Sequence, residues 1–447
     1  MRLHSGIRIG AVLAASALLV TACSGGGGSA GGSTAGSTGG STAAGGKVDL
    51  TFWTWAPGMD AIVAKWNAEN PNIQVTVNKQ DGGDPAVTKL LTAIKAGSGA
   101  PDVMQTEYQK IPTLVSSDAL ADISGDLPKD LKSHYSDGTW QAVTLGGDQV
   151  YGVPQDSGPM EFYYRTDIFQ QYGLTVPKTW DEYAQVAAKL HAADPTKYLG
   201  TFSATDAGWF TGLAQQAGAS WWGVDGTAWS VNIDSAATQK VAKYWGDLVE
   251  QGVIDNKPMY TPEWNAALND GTQAGWVSAI WAPGVLQGNA ADTKGKWAMA
   301  PLPQWNAGDN ATGNWGGSAS SVTSQSKHKA EAAKFIAWMN SSQEGVDILA
   351  KQGGLYPADL PGQSEALSAP PAFFPQQTDF YKTAADIAKS VKPFTYGPNV
   401  NVAFSSYNDA FGKATQAKSS AAFVAAVKTM QDATVADLKN GGFTVKQ

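Results

Sequence analysis

The stretch VDLTFWTWAPGMDAIVAKWNAENPNIQVTVNKQ, Val48 to Gln80, decides the fold class. Val48 to Trp55 is β-rich. Met59, Ile62, Val63 and Trp66 then recur at i, i+3, i+4 and i+7, the period of a helix with one buried face. Ile73 to Asn78 returns to strand alternation. Downstream, Asp84 and Pro85 open a second helix, with Asp84 as its cap and Val87, Leu90, Leu91 and Ile94 on one face. Val103 to Thr106 reads as a short buried strand. This β-α-β-α-β order implies an α/β domain with a parallel-type sheet between helices. Farther on, Thr179-Trp180-Asp181-Glu182 has the spacing of a capping box, opening a helix with Tyr183, Val186 and Leu190 inward. Two more helices run through Ala330, Ala333, Phe335, Ile336 and Met339, and through Phe423, Val424, Val427 and Met430.

Upstream of Val48 the chain changes character. Arg2 and Arg8 precede an apolar run from Ile9 to Val20, then small residues before Cys23, the only cysteine. A basic start, a short apolar stretch and a small-residue cut site describe a secretory signal over residues 1–22. The run is short for a membrane span. Ending on Thr21-Ala22-Cys23, it resembles a bacterial lipobox, in which the cysteine is lipidated and becomes the new N-terminus. Ser24 to Gly46 holds only Gly, Ser, Thr and Ala, and should act as a random-coil tether of about 25 Å reach. Its Gly27-Gly28-Ser29-Ala30-Gly31 matches a hydrolase pattern only by composition, because that motif needs a strand-turn-helix setting.

The 447 residues carry 31 Lys plus Arg against 39 Asp plus Glu. Loss of the signal leaves 29 cations, near −10 net, so no basic field is present to hold nucleic acid or an acidic membrane. Arg165 would then be the one remaining arginine, and without guanidinium forks an anionic ligand is disfavoured.

Several segments taken in order resemble the extracellular solute-binding proteins of ABC importers, the class that includes maltodextrin-binding proteins. They are Leu50 to Trp55, Ala100-Pro101-Asp102-Val103, Gly152-Val153-Pro154 with Phe162 to Asp167, Pro177 to Glu182, Gly316-Gly317 before Ser326-Lys327-His328, and Glu331 to Ile336. The resemblance implies a two-lobe, type II periplasmic-binding-protein-like α/β fold, each lobe a sheet flanked by helices. Residues 47–155 and 317–356 would form one lobe, and 156–316 and 357–447 the other. Crossing hinges would lie near Gln155 to Met160, Trp315 to Ser318 and Leu355 to Leu360. It also implies capture of a solute for a membrane permease, by a monomer needing no cofactor. The long Gly-rich tether suggests a Gram-positive cell surface.

Residues for catalysis are few. His134, His191 and His328 fall in no metal-ligand spacing and read as surface or packing residues, and no phosphate-binding loop pattern occurs. Paired carboxylates leave open a glycoside hydrolase or lyase using Glu107 and Asp156. Binding chemistry is better represented. Neutral sugars offer CH faces to aromatic rings and hydroxyls to carboxylates and amides, and the chain has 17 Trp. Trp53, Trp66, Trp180, Trp245 and Trp338 read as structural. The candidate ligand contacts are Trp55, Glu107 and Tyr108 at strand ends, Asp156, Trp315 and Tyr356 on crossings, Trp281 where a strand meets a helix, and one ring from each of Trp209-Phe210 and Trp221-Trp222, taken as Trp209 and Trp222. A neutral mono- or oligosaccharide is the leading ligand. A polyamine, a peptide, an iron complex, or a carbohydrate-adhesion role without transport are the alternatives.

Overall fold

The computed structural model describes residues 46–225 and 228–446. The expected signal, Cys23 and the tether lie outside the described residues. Among the described residues eleven strands occur, in chain order β1 (Val48–Thr54), β2 (Ile73–Lys79), β3 (Val103–Glu107), β4 (Val153–Asp156), β5 (Met160–Arg165), β6 (Trp222–Asp225), β7 (Ala228–Val231), β8 (Gly275–Ala279), β9 (Trp297–Pro301), β10 (Ser318–Val322) and β11 (Val445–Lys446).

The opening segment folds as its periodicity dictates. Helix Met59–Glu69 buries Met59, Ile62, Val63 and Trp66. It stops before Pro71, because the residue ahead of a proline resists helical geometry. Helix Asp84–Ala96 carries Pro85 in its first turn, but Gly83 is its N-cap and Asp84 its first residue, which sends the Asp84 carboxylate to Lys110 instead of the helix end. The Thr179 capping box forms in both directions with Glu182 and opens helix Trp180–Ala193. It buries Tyr183 and Leu190 but leaves Val186 only half-buried.

The first sheet runs β2-β1-β3-β10-β4. β1 is parallel to β2 and β3, while β10 is antiparallel to both β3 and β4, so the sheet is mixed where the sequence implied a parallel one. The reason is connectivity: β10 arrives from the other lobe and not over a crossover helix. Around this sheet one core gathers Leu50, Phe52, Leu90, Val103 and Val153 with Ala319, Val322, Phe335, Ile336 and Ala358.

The second core spans Met160 to Leu302 and Phe373 to Leu438, and takes in Trp315 and Tyr356. Its central sheet is antiparallel, β8-β5-β9, and a three-stranded sheet β11-β7-β6 lies apart from it. Aromatic packing dominates. Trp209 and Trp245 meet edge to face at 4.9 Å, with Trp180 at 5.8 Å and Phe202 at 5.6 Å from its nearer neighbour in the group. Three buried indole N–H groups are spent inside the lobe: Trp180 donates to Gln216 Oε1 at 2.9 Å, Trp209 to the Val277 carbonyl at 3.0 Å and Trp221 to Thr238 Oγ1 at 3.0 Å, while that of Trp222 finds no acceptor. Arg165 forks onto Asp167 at 2.8 and 2.7 Å and is buried in this lobe.

Glu161, fully buried on β5, has its carboxyl pushed up to about 8 by burial, against the Tyr163 hydroxyl that donates to Oε2 at 2.6 Å. A carboxyl that holds its proton more tightly folded than unfolded adds stability that is complete below its ordinary value near 4.5 and is lost as pH rises through about 8. The melting temperature should therefore fall between those limits, and Glu161→Gln should flatten the fall. Equal slopes in thermal melts of the two proteins would refute the buried, protonated acid. Trp209→Ala should cost about 3–5 kcal/mol in denaturant unfolding, the loss for a large core ring. A cost under about 1 kcal/mol would mean that the ring is not core.

Candidate functional site

The carboxyl ends of β1 and β3 meet the first and second crossings. At that junction Gln105 is buried with its amide oxygen accepting from Thr54 Oγ1 at 2.7 Å and from the backbone N–H groups of Trp55 at 3.2 Å and Ala56 at 3.1 Å. Three donors on one oxygen settle the amide's orientation. Its Nε2 then donates to Ser318 Oγ at 3.0 Å. The Ser318 hydroxyl donates a hydrogen bond to Asp156 Oδ1 at 2.5 Å, and its backbone N–H donates to the same oxygen at 2.9 Å. Half-buried Trp55 thus leaves β1 on a turn braced by buried hydrogen bonds, with its ring against the Gly82-Gly83 bend.

Glu107 and Tyr108 end β3 beside that brace, and both are half-buried. The Tyr108 hydroxyl donates to the Asp156 carbonyl at 3.0 Å. Its ring can lie there because Gly317 has φ +83° and no Cβ, which would stand 3.0 Å from Tyr108 Cε2. Burial pushes the Glu107 carboxyl up, with Lys110 opposing. Burial also pushes Asp156 up to about 7, against the Ser318 hydrogen bonds and with Glu107 adding to the rise.

On the second lobe an aromatic wall rises from Trp276 on β8, in which Trp276 and Trp315 are core rings, 2% and 6% exposed, and Trp281 is half-buried. Trp281 and Trp315 cross edge to face at 4.7 Å, and Trp276 lies 5.8 Å from the first and 6.2 Å from the second. Trp281 Nε1 donates to the Trp315 carbonyl at 2.9 Å, and Trp315 Nε1 donates to Asp206 Oδ1 at 3.1 Å. The same Asp206 oxygen caps helix Ala207–Gln216 by accepting from Trp209 N at 3.0 Å. Asp206 is half-buried. Burial pushes its carboxyl up to about 7, and Glu107, within electrostatic reach on the other lobe, adds to the rise.

Tyr260 joins the wall at 6.3 Å from Trp315 and keeps 44% of its surface exposed. Its φ of 67° is a left-handed conformation that a non-glycine residue adopts only where the surroundings impose it, and such residues gather at functional sites. Withdrawal of its hydroxyl from water, then the Asp206 and Glu107 carboxylates, push the phenol up. Tyr396 is likewise within reach of the Glu107 charge.

Among the sequence candidates, Trp55, Glu107, Tyr108, Asp156, Trp281 and Trp315 come together here. Trp209 and Trp222 do not: both are buried in the second core, as are Phe210 and Trp221, so neither pair turns a ring outward. Helix Ala207–Gln216 is enclosed on all sides, which a sequence window cannot show. Tyr356 is buried too, stacked 6.4 Å from Tyr381, with its backbone carbonyl accepting from Ser157 N at 3.0 Å across the crossing. Asp206, Tyr260, Gln105 and Tyr396 were missed. Only Asp206 had a local signal, as a capping residue ahead of an apolar helix.

The arrangement supplies aromatic faces, carboxylates and no free guanidinium among the described residues. That suits a hydroxyl-rich uncharged solute. Asp156 is 5% exposed and commits Oδ1 to Ser318, a brace and not a nucleophile.

The sequence profile of the family described as "Bacterial extracellular solute-binding protein" matches residues 53–346. The chain is 25% identical over 312 residues to the arabinooligosaccharide-binding protein of Bacillus subtilis, covering 67% of this chain and 71% of that one. It is 29% identical over 371 residues to the lactose-binding protein of Rhizobium radiobacter, covering 78% and 84%. Among solved structures it resembles the galacto-N-biose/lacto-N-biose I-binding protein of the ABC transporter of Bifidobacterium longum, in complex with lacto-N-biose. There the TM-score is 0.79 and the identity 30%, over 90% of this chain and 100% of that one. Matched by that family over more than half of its length, this chain belongs to the bacterial extracellular solute-binding protein family.

Proposed function

We propose that the protein captures a neutral oligosaccharide between its lobes and delivers it to the membrane subunits of an ABC importer. The observation that carries this reading is the Trp281–Trp315 pair, held by Asp206 and set within reach of Glu107 on the other lobe. Rings that hold sugar CH faces and carboxylates that take hydroxyls then come from both lobes, so a bound sugar stabilises the closed form by its differential contacts. Relatives that bind arabinooligosaccharides, lactose and lacto-N-biose support the ligand class. Arg165, tied to Asp167 inside the second lobe, leaves the cleft without a fork for an acidic sugar.

The protein acts as a monomer on the outer face of the membrane of a Gram-positive cell, anchored by lipid on Cys23. No helix among the described residues is long and apolar enough to cross a membrane. Cys23→Ala should release the protein from the membrane fraction and abolish labelling by a fatty-acid analogue. Retention of both would remove the anchor.

Titration of tryptophan fluorescence and melting temperature against neutral saccharides, uronates, polyamines and peptides tests the ligand class. Saturation at a hundred times the dissociation constant adds about 2.7 kcal/mol. A shift confined to neutral saccharides is expected. A shift for a polyamine or peptide alone would overturn the sugar reading. Trp281→Ala should weaken binding of a responding saccharide at least tenfold without unfolding the protein, and unchanged titration curves would take Trp281 out of the site.

A further inference from the structure

The lobes also touch at a place where no chain crosses. Lys110, in the single turn Tyr108–Lys110 that follows β3, belongs to the first lobe and is 2% exposed. Its ammonium takes Asp84 of the same lobe, then reaches over to the second. There it donates to Asn401 Oδ1 at 2.8 Å and stands 4.5 Å over the Phe404 ring, both on helix Val400–Ala417. One turn further on, Thr113 Oγ1 donates to the Pro398 carbonyl at 2.8 Å, just ahead of that helix.

We propose that Lys110 and Asn401 form a latch that sets how much of the ligand-free protein is closed, and through that the affinity of the cleft. Three observations bear on this. The Lys110–Asn401 bond joins side chains on different lobes, so it exists only while they are together. The ammonium is 2% exposed with the lobes in contact, so parting them would return it to water. Desolvation therefore opposes the charge-assisted bonds of the latch. Finally, Lys110 and Glu107 flank one short turn, and the Lys110 charge bears on the Glu107 carboxylate, so a ligand held by Glu107 acts on the turn that carries the latch. Tyr396, four residues before helix Val400–Ala417, also lies within reach of Glu107 and brings the same second-lobe segment to the edge of the site.

The inference rests on the capture reading only for its consequence for affinity, because the test is made without saccharide. Small-angle scattering of the ligand-free protein should give a larger radius of gyration for Asn401→Ala than for the wild type. Asn401→Asp, which sets a carboxylate against the ammonium, should give a smaller one. Opposite shifts from two substitutions at one half-buried position are not the mark of a packing defect. Lys110→Ala should expand the protein as Asn401→Ala does. If it fails to fold by circular dichroism, the two Asn401 variants still decide. Where a saccharide from the panel binds, Asn401→Ala should lower its affinity about tenfold, in step with the loss of closed form. Identical scattering from folded wild type, Asn401→Ala and Asn401→Asp would overturn the latch, whatever the ligand proves to be.

Discussion

A single buried hydroxyl, that of Ser318, ties together the pieces on which the rest depends. It sits on β10, the strand that returns from the second lobe, and is hydrogen-bonded to Gln105 on β3 and Asp156 on β4. Gln105 in turn holds the turn that leaves β1 at Trp55. Four strands thus meet through three side chains at the junction of the lobes. A buried polar network of this kind is stable only when each member finds its partner, and here the donors and acceptors of Gln105 and Ser318 match.

The same economy shapes the second lobe's side of the cleft. Asp206 uses one oxygen to cap a helix and to hold Trp315, and Trp315 uses its carbonyl to hold Trp281. The wall is therefore set in place before any ligand arrives, which reduces the ordering cost of binding. Carboxylates from both lobes face one another without a guanidinium between them. Burial, aided by the Glu107 charge, raises both the Asp156 and the Asp206 carboxyl to about 7.

Tryptophan serves two purposes, and only some of its roles were legible in sequence. Trp66, Trp180 and Trp245 sit on periodic helical faces, and their burial follows from spacing. Trp55 and Trp281 lie where the sequence placed them, just after a strand end and at a strand-to-helix junction. Trp209 and Trp222 were misread because adjacent aromatic residues suggest one ring inward and one outward, an inference that holds only for an element with a solvent side. The helix after Asp206 has none, being packed on every face. Tyr260 carries no local signal, since its exposure and its left-handed backbone come from neighbours in other segments.

The sequence by itself determined the α/β class, the helices and strands of the first lobe and the ends of the chain's cleft-bearing strands. These rest on periodicity, capping and turn chemistry, which act within a few residues. It also determined the scarcity of arginine, and with that the kind of ligand the cleft disfavours. Only the tertiary structure decided the antiparallel return of β10, which rings are core and which are wall, the pairing of Asp206 with Trp315, and the reach of Lys110 across to Asn401. Each of these joins residues about a hundred or more positions apart, and whether such groups meet depends on packing and burial that no local pattern encodes.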